Sequence, residues 1–529
     1  MYDVIIRDGY ILDGSGNPWF KSDIAVKDGR IVEIGCLDHS QAEYVINAEG
    51  LFVAPGFIDI HTHYDLAPFA DPKLEHVVKQ GVTTVVTGNC GISPFPVKLK
   101  HLDLLRRFNA PFTPLGADIS WSWVSLKEFS EKLGRRGLGL NIAPLVGHGA
   151  IRIAAMGFEA REPSKDELDE MKELVRREME EGAFGMSTGL IYAPAIYATT
   201  EELIELCKVV ALHGGVYATH IRSEGDMLIE SVRETLTIGE KSKVSVEVSH
   251  HKASGKANWG KIKETLKMLR EARERGIEVT CDVYPYTAGM TYLSALLPPW
   301  VHEGGVHKLI ERLKSSSIRS KIVEDMEGKL PKWENIYKSV GWEGIVIAYS
   351  KTHKEYIGKS ISEISRETSL NPFTILFNTV VDDDANTLMI VHTMNEEDVR
   401  TVISDPLSII GSDSWLVTTG KPHPRFYGTY PRVIAKYVRE YGVLRLEEAI
   451  RKMTSLPASK LSLWNRGLIR PGFYADIVIF NYEKINDKAT FKDPIQFAEG
   501  INYVLINGEI VIYEGEHTGK TAGKVLRKT

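Results

Sequence analysis

Apolar residues recur in two rhythms along this chain. At both ends they alternate with polar residues over short stretches, at 3–7, 10–12, 23–27, 30–34 and 51–54, punctuated by Gly9, Gly14, Gly16 and Gly29. Near the C-terminus an apolar run at 475–480 is followed by stretches at 503–506 and 509–512, joined by Asn507-Gly508. Asn-Gly between two such runs signals a tight hairpin, because both turn residues must take positive φ. In the middle, compact apolar runs at 57–60, 83–86, 141–146, 183–186, 216–218, 244–248, 279–283 and 407–410 predict buried strands. Amphipathic stretches such as 164–181, 200–213, 261–275 and 446–453 separate them. Eight strand-then-helix units over roughly 400 residues predict an α/β protein built as a (β/α)8 TIM-like barrel, with an open doubly wound sheet as the alternative. Polar residues cluster where the strands end, which favours the barrel.

Three segments follow. Residues 57–463 form the barrel, while 1–56 and 464–529 build one small β-sandwich, since chain ends tend to lie close together. From about 288 to 344 the alternation breaks. This stretch holds Pro298-Pro299-Trp300, Gly304-Gly305 and a basic helix at 307–324. It reads as an inserted lid subdomain, or equally as an excursion with no gating role.

Composition narrows the function classes. The chain has 529 residues, 43% hydrophobic and 25% charged, as in an ordinary soluble protein. A net charge of -6 without a dense basic run argues against a nucleic-acid partner. No apolar stretch reaches the ~20 residues a bilayer requires, so no membrane partner is expected. Residues 1–9 read as a strand and turn rather than a signal peptide. Cys36, Cys90, Cys207 and Cys281 are far apart and form no CxxC pair, which argues for a reducing, cytoplasmic setting. Glutamine occurs only at 41, 80 and 496 beside abundant Lys and Glu, a bias that suits a heat-adapted, thermostable protein.

Candidate chemistry sits at the strand ends. His61 and His63 follow the run at 57–60. Residues i and i+2 of a strand share a face, so both imidazoles point one way and suit a divalent metal. Cys90, in Gly88-Asn89-Cys90-Gly91, His220, His250 and Asp413 also end apolar runs. Each has a plain structural alternative: a buried thiol for Cys90, satisfied core or loop histidines, a helix N-cap for Asp413. Six metal-compatible residues on the ends of five strands argue for a shared site. Nitrogen and sulfur ligands favour Zn2+ over magnesium or calcium. Cys90, His220 and His250 are the expected tight zinc ligands. His61 and His63, with Asp413 nearby and Cys90 as an optional bridge, would form a second, weaker site, leaving one or two metals open.

With these residues in place, the sequence resembles the amidohydrolase superfamily, and within it the N-acyl-D-amino-acid deacylase (D-aminoacylase) family. The resemblance is carried in order by the segment 54–65 (APGFIDIHTHYD), Gly88-Asn89-Cys90-Gly91, 185–192 (GMSTGLIY), Thr219-His220-Ile221-Arg222, Ser249-His250-His251-Lys252, Asp282-Val283-Tyr284-Pro285-Tyr286, Gly411-Ser412-Asp413 and Ala475-Asp476-Ile477-Val478. Hydantoinases and dihydroorotases carry a bridging lysine on the fourth strand; the stretch 183–188 has none, and Cys90 stands at the deacylases' alternative position. The resemblance implies that Lys252, Tyr284 and Arg425 clamp a substrate α-carboxylate, although Lys252 and Arg425 also read as solvated surface charges. Met290 departs from the family, which often has a hydroxyl residue there, so that clamp has one donor fewer or uses Thr291. Leu293, Ala295, Leu296 and Leu297 suggest a pocket for neutral or hydrophobic side chains.

The resulting expectation is zinc-dependent hydrolysis of the amide bond of a small-molecule N-acyl-D-amino acid, with Asp413 as the catalytic proton carrier. The D configuration comes only from the resemblance. A D-specific dipeptidase and a non-catalytic metal-binding barrel are the alternatives. Homo-oligomerisation is expected on general grounds alone.

Overall fold

The computed structural model describes residues 1–37 and 40–528. Eight parallel strands run in the predicted order: Phe57–Asp59, Val82–Thr87, Asn141–Pro144 with its continuation Val146–Gly147, Gly185–Gly189, Val216–His220, Ser245–Val248, Val279–Val283 and Ser408–Ile410. Consecutive strands pair in parallel from first to third and from third to eighth. Phe184 N–H donates to Pro144 O at 2.8 Å, joining the third strand to the fourth. The ring closes where Thr62 bridges Ser414 in parallel and Asp413 N–H donates to His61 O at 2.8 Å. A closed ring rules out the open doubly wound sheet. The barrel strands are buried on both faces, which is why their sequence reads as apolar runs rather than alternation.

The helices fall between strands and begin where the sequence gives them caps. Lys165–Glu180, for example, starts at a capping box: Ser164 accepts from the Glu167 N–H while the Glu167 side chain accepts from the Ser164 N–H.

Both chain ends meet in one β-sheet domain. Tyr2–Ile11, Phe20–Lys27, Arg30–Gly35, Ala42–Asn47 and Phe52–Pro55 join Ile477–Phe480, Ile501–Ile506, Glu509–Tyr513 and Glu516–His517 in one nine-stranded sheet. The sheet curls until Arg30 bridges Tyr474, so it encloses its own core of residues such as Ile6, Ile24, Val53, Ile477 and Leu505. The strand Ala42–Asn47 escaped the sequence reading because four of its six residues are exposed. Asn507 and Gly508 take φ of 50° and 85°, as the hairpin requires.

The inserted unit extends past residue 344. Gly289–Tyr292, Ile345–Tyr349 and Leu388–Val391 form a three-stranded antiparallel sheet, with Leu388–Val391 in the centre. This sheet and its helices share a core running from Leu293 to Val391. The stretch after 344 alternates strand and helix as the barrel does, so pattern alone assigned it to the barrel.

Asp476 joins barrel and β domain. Its buried carboxylate pairs with Arg466, accepts from Asn507 N–H at 2.7 Å and lies 3.4 Å from Asn141 Nδ2 on the third strand. Removing one partner of a buried pair leaves the other uncompensated. Asp476→Ala is expected to cost about 3–5 kcal/mol in denaturant unfolding; a loss below about 1 kcal/mol would contradict this anchoring role.

Candidate metal centre

Every predicted ligand lies on the C-terminal rim of the barrel and is buried. Strand geometry aims His61, His63 and His220, but Cys90, His250 and Asp413 need more. All three take positive φ, of 50°, 33° and 49°. Non-glycine residues rarely adopt this region, and its cost is tolerated where the surroundings enforce it. The turn before Cys90 is pinned by Gly88, at φ 77°, where a Cβ would stand 2.1 Å from Leu145 O.

Two clusters result. In the first, Cys90 Sγ lies 3.5 Å from His250 Nε2 and 4.0 Å from His220 Nδ1. In the second, Asp413 Oδ1 lies 3.6 Å from His61 Nε2 and 3.3 Å from His63 Nε2. Cys90 Sγ touches both groups, standing 3.4 Å from His61 Nε2. Tetrahedral zinc, with Zn–S of ~2.3 Å and Zn–N of ~2.0–2.1 Å, sets its sulfur and nitrogen ligands roughly 3.5 Å apart. The Cys90–His250 and Cys90–His61 spacings therefore fit zinc ligands.

Carboxylates that the sequence reading passed over orient the imidazoles. Asp282 Oδ2 lies 3.2 Å from His61 Nδ1, and Glu224 Oε1 lies 2.8 Å from His250 Nδ1. His61 Nδ1 donating to Asp282 directs its Nε2 at Cys90, whereas His250 Nδ1 faces both the Glu224 carboxylate and, at 2.8 Å, the Lys252 ammonium. Asp282 falls at a strand end within a segment already noted, so its position was a usable signal. Glu224 lies in a loop, and nothing local marks it.

Burial pushes His220 and His250 well below the ordinary histidine value of 6.5, keeping both rings neutral. Burial pushes the Cys90 thiol up, and His61 only partly offsets this, so a thiolate here calls for a stronger cation. At Asp413 burial opposes the charge, yet Arg425, with Nη2 2.8 Å from Oδ2, and then His63 hold the carboxyl well below the usual carboxylate range.

The clusters open into a cavity of about 640 Å³, counting its mouth. His63, Cys90, His220, His250 and Asp413 line its floor, and Lys252, Tyr284, Met290 and Thr291 are on its wall. Lys252 is no solvated surface charge: it is buried and pairs with Glu224 at 2.5 Å. Arg425 is fully buried and does not line the cavity; it packs 4.5 Å over the Tyr284 ring and holds Asp413. Thr291 Oγ1 is engaged by Tyr192 Oη at 3.0 Å, while Met290 Sδ accepts from His423 N–H at 3.3 Å. Leu293 and Leu296, expected near a substrate pocket, belong to the core of the inserted unit.

A closed barrel carrying this donor set on its rim is a metal-dependent hydrolase of amide bonds. The model of the amidohydrolase family matches residues 44–512. D-aminoacylase of Alcaligenes xylosoxydans xylosoxydans is 35% identical over 528 residues, covering 100% of this chain and 98% of that protein. N-acyl-D-aspartate deacylase of the same organism is 36% identical over 526 residues, 99% of this chain and 95% of that one. The crystal structure of N-acyl-D-glutamate deacylase from Bordetella bronchiseptica, complexed with zinc and a phosphonate mimic of the tetrahedral intermediate, matches with a TM-score of 0.84 and 32% identity over 99% of each chain. The chain belongs to the amidohydrolase family, within its branch of D-aminoacylases and N-acyl-D-amino-acid deacylases.

Two outcomes are expected for the metal. Cys90→Ala should strip the tightly held zinc, read by elemental analysis after dialysis; unchanged content would remove Cys90 from the site. Because the His220 and His250 rings are held neutral below their ordinary value, zinc content at about pH 6 should equal that at pH 7.5. Release between those two values would show rings that titrate as exposed histidines do.

Proposed function

We propose that this protein hydrolyses the amide bond of N-acyl-D-amino acids, giving a carboxylate and a free D-amino acid, and that it favours neutral or hydrophobic side chains over acidic ones. The observation that carries this reading is the meeting, at one cavity, of overlapping donor groups (His61, Cys90 and His250; His61, His63 and Asp413; His220, Glu224 and His250) with a buried cation at Lys252. Cys90, His220 and His250 would hold the tight zinc, and His61, His63 and Asp413 a second, weaker one. Zinc bound there supplies Lewis acidity toward the amide carbonyl and lowers the pKa of water.

The chain's own residues do the rest. Asp413, ionised and directly below the cavity, accepts the proton of the attacking water and delivers it to the departing nitrogen. Lys252 and the Tyr284 hydroxyl receive the α-carboxylate. Arg425 packs over the Tyr284 ring and adds positive charge behind it without itself reaching the cavity. Fixing the carboxylate and the scissile carbonyl at two points leaves the third substituent of the chiral carbon one direction to take, which is the physical basis for selecting a single configuration. Ile191 and Ile336 line the wall. An acidic side chain entering there gains no unpaired cation and faces the Glu224 carboxylate.

The same reading places a heat-adapted enzyme in the cytoplasm, as a homo-oligomer. Its supports are the wide spacing of the cysteines, with Cys90, Cys207 and Cys281 buried as free thiols, and the scarcity of glutamine. Among the described residues no helix is long and apolar enough to cross a membrane.

Zinc-loaded protein is expected to cleave N-acetyl-D-leucine and N-acetyl-D-methionine faster than N-acetyl-D-glutamate, and to leave the L-enantiomers untouched. Cleavage of the L-series at a matching rate would overturn the configuration. Asp413→Asn should lower kcat roughly 10³-fold or more while the Cys90 cluster keeps its zinc; turnover near wild type would exclude Asp413 as proton carrier.

A further inference from the structure

The inserted unit brings one acid to the cavity. Glu334 is buried at 8% exposure and lines the catalytic cavity beside Glu224 and Lys252. Its Oε2 accepts from the Ser223 hydroxyl and from Gly225 N–H, the latter at 3.3 Å, so the carboxyl is held against the rim of the barrel. Both donors fall on one oxygen. Lys252 pairs with Glu224 at 2.5 Å and also faces the substrate's α-carboxylate, so its single charge neutralises Glu334 only in part. Burial pushes the Glu334 carboxyl up to about 7, the mark of an acid with no full counter-charge.

Position narrows what the acid can recognise. Glu224 contacts His250, whereas the hydrogen bonds of Glu334 go to Ser223 and Gly225, on either side of Glu224. Next to it lies a narrow pocket that shares Glu334 and Ile191 with the catalytic cavity and is lined by Ala295, Leu297 and Trp333 together with the His302 imidazole. The cavity wall thus offers a side chain the aliphatic Ile191 and Ile336 together with the Glu334 carboxylate.

We propose that Glu334 is a specificity-determining residue that accepts the terminal cation of a long aliphatic side chain, so that N-acyl derivatives of D-lysine and D-arginine are substrates alongside the neutral ones. This deepens the reading of the site as an N-acyl-D-amino-acid hydrolase and rests on it. An α-amino group on the acyl moiety is the poorer match, because it would lie beside the scissile carbonyl and hence next to the metal ligands rather than beside Glu334.

The test compares N-acetyl-D-lysine with N-acetyl-D-norleucine, which has the same carbon chain without the charge. Wild type is expected to show the higher kcat/KM on the lysine compound. Glu334→Gln keeps an acceptor for Ser223 and Gly225 but loses the charge. It should lose roughly 30-fold or more in kcat/KM on N-acetyl-D-lysine, chiefly through KM, while norleucine turnover stays within about 3-fold. Cleavage of norleucine but not lysine by wild type, or equal losses on both substrates in Glu334→Gln, would overturn the role of Glu334 and leave the general activity standing. Equal losses would show Glu334 to be only a tether for the inserted unit. Cleavage of neither would sink the D-deacylase reading, and this inference with it. Loss confined to D-alanyl-D-norleucine, with N-acetyl-D-lysine unaffected, would move the recognised cation to the acyl side.

Discussion

Four imidazoles, a thiol and an ionised carboxylate crowd into a buried pocket at one end of a barrel, a donor set suited to a cation. His61, His220 and His250 each bring a ring nitrogen to 3.4–4.0 Å from Cys90 Sγ. Buried lone pairs without donors are costly, and three of the residues concerned also bear positive-φ strain. The surroundings are built to sustain that cost. Asp282 and Glu224 fix two rings from behind, Gly88 allows the chain to turn sharply before Cys90, and the Thr62–Ser414 bridge closes the barrel beneath Asp413.

A second layer of charge surrounds the first. Arg425 keeps Asp413 ionised, Glu224 keeps Lys252 charged, and Tyr284 lies between the two cations, 4.5 Å from Arg425 and 5.6 Å from Lys252. A substrate carboxylate bound at Lys252 and Tyr284, as proposed, would share one network with Asp413. Binding the former must draw on charge that otherwise steadies the latter, which links substrate anchoring to the proton affinity of Asp413.

Much of this was legible in the sequence because strands report on themselves. Period-two geometry put His61 and His63 on one face, and the apolar runs ended where Cys90, His220, His250 and Asp413 begin the rim. The barrel count held for the same reason. What escaped was set by contacts between distant segments. Glu224 and Glu334 sit in loops whose meeting depends on how the inserted unit docks, and no periodicity records that. The extent of the insertion was hidden because Ile345–Tyr349 and Leu388–Val391 are apolar and separated by helices, as barrel strands are. Arg425 was assigned to the substrate by resemblance, and its pairing with Asp413 is visible only in three dimensions.

The central claim, that a thiolate and imidazoles from separate strands share a zinc ion, is tested most directly by zinc X-ray absorption on the purified protein. A first shell containing sulfur at ~2.3 Å together with nitrogen or oxygen at ~2.0 Å is the expected result. A shell of nitrogen and oxygen alone would contradict it.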